Sequence, residues 1–190
     1  LTDNPSRLWQ LHHNGPERTP VGDCYRTALA CLFGLDNPER VPHFVDIELQ
    51  HRSIHQPSVS HLWAREWIRD ATGGCDLASC PATVIHDLAV LEGVPIYGVA
   101  TVPGHRATWH CVVWESLTNA CWHDPTPPHL RTKNYTADDV TELEVVVLPW
   151  EPGPNVPGTH DLDLAVYPLL RPWRVDLVGA TYSPQTTGEQ

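Results

Sequence analysis

Cys24 follows Asp23 directly in the stretch GDCYRTALACLFG (22–34), at the point where an apolar helical pattern begins. A thiol is a useful nucleophile only as thiolate, and the unsatisfied N–H groups and dipole of a helix start lower its pKa. Such a nucleophile needs a histidine in hydrogen-bond reach, to hold an ion pair and later protonate a leaving group. A third polar group must fix the orientation and tautomer of the ring. Of the chain's 12 histidines, the best placed is His110 in TWHCVVWESLTNACWHDPTP (108–127), where Asp124 follows it.

His110 opens a strand pattern in which Val112 and Trp114 share its face, while Cys111 and Val113 point the other way. A three-residue loop, Leu117–Asn119, pairs Ser116 with Ala120 and sets Val112 opposite Asp124. The carboxylate then lies on the His110 face, diagonal to the ring. A loop of two or four residues would reverse that parity. His123 faces away in this register and is the alternative base. His43 in VPHF is expected to make a local backbone contact, and His86 to lie exposed on a helix. Trp109 and Trp114 flank His110 and are candidates to shield the imidazole or grip a substrate side chain.

The elements that must position these groups can be read along the chain. Asp23 is an N-cap candidate for a helix over about 24–33, with Tyr25, Ala28, Leu29 and Leu32 at helical spacing and Gly34 as a stop. NPERVPHFVDI reads as a turn and a short helix or irregular segment. A second long helix is predicted over about 60–71, carrying Trp63 and Trp67 on one face. A third is predicted over about 82–92, with Val84, Leu88 and Leu91 on one side and Gly93 after it. Strand texture then covers 94–102, 109–116, 120–124 and 143–148. Helices first and a mostly antiparallel sheet afterwards is an α+β order. EPGPNVPGTH (151–160) reads as a Pro/Gly linker, which divides the chain into a domain over 1–150 and an extension over 151–190.

The chain of 190 residues can bury a core without staples. Its formal charge of -11 argues against nucleic acid or an anionic membrane surface as partner. No apolar stretch reaches the roughly 18 residues that span a bilayer. The opening LTDNPSRLWQ is polar and does not read as a secretion signal, so a cytoplasmic protein with reduced thiols is expected. The six cysteines, at 24, 31, 75, 80, 111 and 121, lack the paired C-x2-C spacing of a structural zinc site. No metal or other cofactor is expected. Cys31 reads as core, and Cys75 and Cys80 as thiols flanking a short loop.

A cysteine opening a helix in GDCYRTALACLFG, then VPHF, then HCVVW and HDPTP on a hairpin, resembles the papain-like cysteine peptidases. The likeness is to their bacteriocin-processing branch and to small phage and actinobacterial proteins, and it covers roughly residues 20–130. It implies helices packed on a mostly antiparallel sheet, and a hydrolase that cleaves an amide, peptide or isopeptide bond through a thioester. It implies Cys24 as nucleophile, His110 as general base and acid, Asp124 as orienter, and a protein or peptide as substrate. If the source is a phage, the host cytoplasm is where it acts. Papain-like enzymes carry a glutamine a few residues before the cysteine to help hold the oxyanion. GPERTPVGDC has none, and the nearest upstream is Gln10. The Cys24 N–H remains one oxyanion donor, with Thr19, Arg18 or Asn14 as candidates for the second.

Three other readings stand beside this one. The same triad supports acyl transfer in transglutaminase-like enzymes. DCYRTAL with HCVVW is also similar to cell-wall amidases of the NlpC/P60 type. The missing glutamine favours a binding module that has kept the fold and lost turnover.

Overall fold

The computed structural model describes residues 5–12, 22–51, 59–104 and 108–147. The linker and extension expected over 151–190 lie outside them. Among the described residues four α-helices and one five-stranded sheet make a mixed α+β fold. The helices are α1 (Cys24–Leu32), α2 (Phe44–His51), α3 (Ser60–Thr72) and α4 (Ala82–Glu92). The strands are β1 (Asp76–Pro81), β2 (Tyr97–Pro103), β3 (Trp109–Glu115), β4 (Ala120–His123) and β5 (Glu142–Val147). They lie in the order β1-β5-β2-β3-β4, and every neighbouring pair is antiparallel.

Helices cover both faces. Ala28, Leu29 and Cys31 of α1 and Trp67 and Ile68 of α3 pack with Leu77, Val99, Cys111 and Val113 on one side. On the other, Ile85 and Ala89 of α4 meet Ala100, Val112, Trp114, Leu143 and Val145. Burial of such side chains, at about 25 cal/mol per Å² of apolar surface, holds the sheet between its helices. At Gly98 an added Cβ would stand 2.9 Å from the Glu144 carbonyl oxygen, so the β2–β5 approach requires a residue without one.

Two local readings are corrected. The inward stripe of α4 is Ala82, Ile85 and Ala89, while Val84 and Leu91 face outward. Both sets have helical spacing, and the smaller residues let the helix lie closer to the sheet. The segment DLASCP, where the sequence predicts a short loop flanked by Cys75 and Cys80, is edge strand β1, paired with β5 from Asp76↔Val147 to Pro81↔Glu142. It lacks the β-branched and aromatic residues that advertise a strand, and its conformation comes from the partner. Its terminal proline is tolerated at an edge.

Candidate functional site

α1 begins at Cys24, and Asp23 occupies the N-cap position. The Asp23 side chain makes no capping bond to the helix. Its fully buried carboxylate instead accepts from the Leu11 and His12 N–H groups, at 3.3 and 3.0 Å, and from Arg26 at 2.8 Å. The Asp23 N–H donates back to the His12 carbonyl at 3.3 Å. Asp23 therefore ties the 10–12 segment to the head of α1. Asp23→Ala should lower stability by about 3–5 kcal/mol, because the buried Arg26 and two N–H groups lose their acceptor; a thermal melt against wild type checks this.

The turn after β3 spans four residues (116–119), one more than expected, and begins the ladder at Glu115↔Ala120 and Trp114↔Cys121. On its own this would have turned Asp124 away from His110. A β-bulge then shifts the register to Val113↔His123, leaving Trp122 as the extra residue. Continued by one residue, that register sets Asp124 opposite Val112, the placement expected from a shorter loop. The longer turn and the bulge cancel.

The result is a contact between Asp124 Oδ1 and His110 Nε2 at 2.8 Å. The Thr126 N–H also donates to Asp124 Oδ1, at 2.8 Å, and the Thr126 hydroxyl lies 3.2 Å from His110 Nε2. Arg131 donates to the Asp124 carbonyl at 2.6 Å and lies 3.5 Å from Oδ2. With Nε2 engaged by Asp124, Nδ1 is the ring nitrogen left for the sulfur. Tyr135 lies with its ring centroid 5.9 Å from that of His110.

Cys24 is held well below its ordinary pKa, first by a hydrogen bond from the Cys111 thiol. Burial opposes this, and the hydrogen bond and positive charge of His110 add to the lowering. For His110 burial alone would lower the pKa. The Asp124 and Cys24 hydrogen bonds and both negative charges outweigh it and push it up to about 9. Burial also opposes the charge on Asp124, but His110 and the Thr126 N–H hold it below the usual carboxylate range. Cys111 is pushed well above its ordinary value, since it donates to Cys24 and is itself buried. These shifts act in the direction of a thiolate on Cys24 beside a protonated His110.

The remaining candidates separate clearly. Trp109, 72% exposed, stands at the surface next to His110. Trp114 is fully buried in the core and donates to Asn119 Oδ1 at 3.1 Å, so it lines no groove. A tryptophan on an inward-facing strand position between two covered faces is core; Tyr135, distant in sequence, is the ring beside His110. His123 Nε2 donates to the Leu8 carbonyl at 2.6 Å. Burial holds its pKa down, and it serves to anchor the N-terminal segment. His43 Nδ1 accepts from the Asp46 N–H at 3.3 Å, a local contact as expected. His86, expected to be exposed, is part-buried and bonds the Ser116 carbonyl through Nδ1 at 2.7 Å. Thr19, Arg18 and Asn14 lie outside the described residues.

Gln10 is the residue that spacing concealed. It is nearly buried, its N–H donates to the Pro125 carbonyl at 2.9 Å, and its amide donates to the His12 carbonyl at 2.9 Å. His12 and Asp23 are bonded neighbours in space although separated in sequence. Gln10 therefore sits between the Asp124–Pro125 strand exit and the head of α1. The Gln10–His12 segment is thereby joined to Asp23, the residue before Cys24. The signal was present in the bare glutamine, but no local pattern shows that His12 pairs with Asp23.

All six cysteines are free thiols. Among the described residues no group of three or more His, Cys, Asp or Glu side chains is placed to hold a metal ion, and no helix is long and apolar enough to cross a membrane. Set against protein-family models, curated proteins and solved structures, the chain matches none.

Proposed function

We propose that this protein is a cysteine hydrolase of papain-like design that cleaves an amide, peptide or isopeptide bond. The observation that carries the reading is the pairing of His110 Nε2 with Asp124 at 2.8 Å, near enough to Cys24, the first residue of α1, for thiol and ring to shift each other's pKa.

In this reading the Cys24 thiolate attacks the carbonyl carbon, and the C=O electron pair moves onto oxygen. The oxyanion is met by the Cys24 N–H, which as the first residue of α1 has no acceptor within the helix. The Gln10 side-chain amide supplies the second donor in place of Thr19, Arg18 or Asn14. When the oxyanion collapses, the C–N bond breaks and His110 gives its proton to the departing nitrogen, leaving a thioester. Water then adds to the thioester as His110 takes one of its protons. The acid is released, and the sulfur leaves as thiolate. Asp124 keeps the ring oriented throughout and stays ionised.

Iodoacetamide at pH 6 tests the nucleophile. Cys24 should be alkylated about tenfold or more faster than any other cysteine, read by peptide mass spectrometry. Cys31 and Cys121 are both pushed up to about 11, chiefly by burial, which keeps them as thiols at that pH. Even labelling across the six would overturn the reading.

A further inference from the structure

Asp124, the third member of the triad, lines a cleft of about 430 Å³ whose charge runs against that of the chain. It is lined by Arg7, Arg131 and Lys133, the chain's only lysine, together with Trp9, Trp122 and Tyr135. Asp124 is the single carboxylate in the lining, and it is shared between His110 and Arg131. The protein as a whole carries a formal charge of -11. Three cations in one concavity of so acidic a chain are a concentrated feature.

The cations differ in how far they are engaged. Arg131 is committed to the Asp124 and Thr126 carbonyls, at 2.6 and 3.0 Å, and so buttresses the triad. Lys133 pairs with Asp139 at 2.6 Å, outside the cleft lining. Arg7 has no carboxylate partner among the described residues; its guanidinium lies over the Trp122 ring at 4.4 Å. A planar, always-charged group held against an indole is preorganised to receive a carboxylate. Trp9, 43% exposed, offers an apolar surface beside it. The cleft also runs along β4, the outer strand of the sheet, where an extended chain can lie.

We infer that this cleft is a specificity site for acidic peptide segments, with Arg7 and Lys133 receiving glutamate or aspartate carboxylates next to the scissile bond. The inference rests on the hydrolase reading, since the cleft meets the relay through Asp124 and Tyr135. The acidic character of the chain as a whole sets this basic cleft apart as a place where an acidic substrate is welcome.

Peptidyl vinyl sulfones of equal length, bearing glutamate, alanine or lysine beside the warhead, test it. Their rates of Cys24 modification are read by mass spectrometry. In the wild type the glutamate probe should react about tenfold faster than the alanine probe, and the lysine probe slowest. The glutamate advantage should shrink as salt is raised and disappear in Arg7→Glu. Lys133→Glu, at an exposed position, gives the same readout should Arg7→Glu fail to fold by circular dichroism. Equal wild-type rates, or a preference for lysine, overturn the cleft assignment while selective iodoacetamide labelling of Cys24 leaves the hydrolase reading standing. Loss of that selectivity overturns both.

Discussion

His110→Ala should slow hydrolysis of a peptidyl anilide by roughly 100- to 10,000-fold, the usual worth of a positioned general acid and base. Two losses combine. The leaving nitrogen is no longer protonated as the C–N bond breaks, and Cys24 loses the cation that holds it as thiolate. Without the imidazolium the hydrogen bond from Cys111 is left alone to oppose burial, so the thiol pKa rises and less of the sulfur is thiolate. Initial rates, with thermal melts to establish folding, check the result; turnover unchanged within about twofold would remove His110 from the chemistry.

Gln10→Ala should lower turnover by roughly 100- to 1000-fold, the cost of removing one oxyanion donor. Its signature separates it from a merely structural defect. An oxyanion donor acts on charge that exists only in the transition state, so kcat should fall while KM and the Cys24 titration stay close to wild type. Gln10→Glu should be no better, because a carboxylate repels the charge the amide would meet. A parallel loss in KM, or a shifted thiol titration, would mean that Gln10 only braces the 10–12 segment between Pro125 and Asp23.

These two residues show what the sequence made legible. His110 and Asp124 were within reach because His110 sits on a strand with a clear alternating pattern and Asp124 directly follows the strand that returns from it through a short turn. The reading of that turn was one residue short, and the placement survived only because the bulge at Trp122 restored the parity. Bulges leave no local signature in CWHD, so that agreement was not earned from the residues. Gln10 was hidden for a different reason. The joining of its segment to the head of α1 is a tertiary fact, made by the buried Asp23 carboxylate, for which the sequence suggests helix capping instead. The Thr126 and Arg131 contacts to Asp124 follow the same pattern, being made by loop residues whose positions depend on where the strand ends. The helices fared best, since Gly73 and Gly93 adopt the left-handed conformation that ends α3 and α4 close to where spacing placed them. Strand β1 fared worst, because an edge strand of weak propensity exists only through its partner.

The most direct test is the pH titration of the Cys24 thiolate, followed as the ultraviolet difference between wild type and Cys24→Ala. A thiolate–imidazolium pair lasts from the depressed thiol pKa up to the imidazolium value of about 9. Below the lower limit the sulfur is protonated, and above the upper limit the general acid is gone. Thiolate absorbance already present well below the ordinary cysteine range, with a second step near pH 9, is the predicted result. A Cys24 that shows no thiolate until pH 8.5 or beyond, as an isolated buried thiol would, contradicts the account.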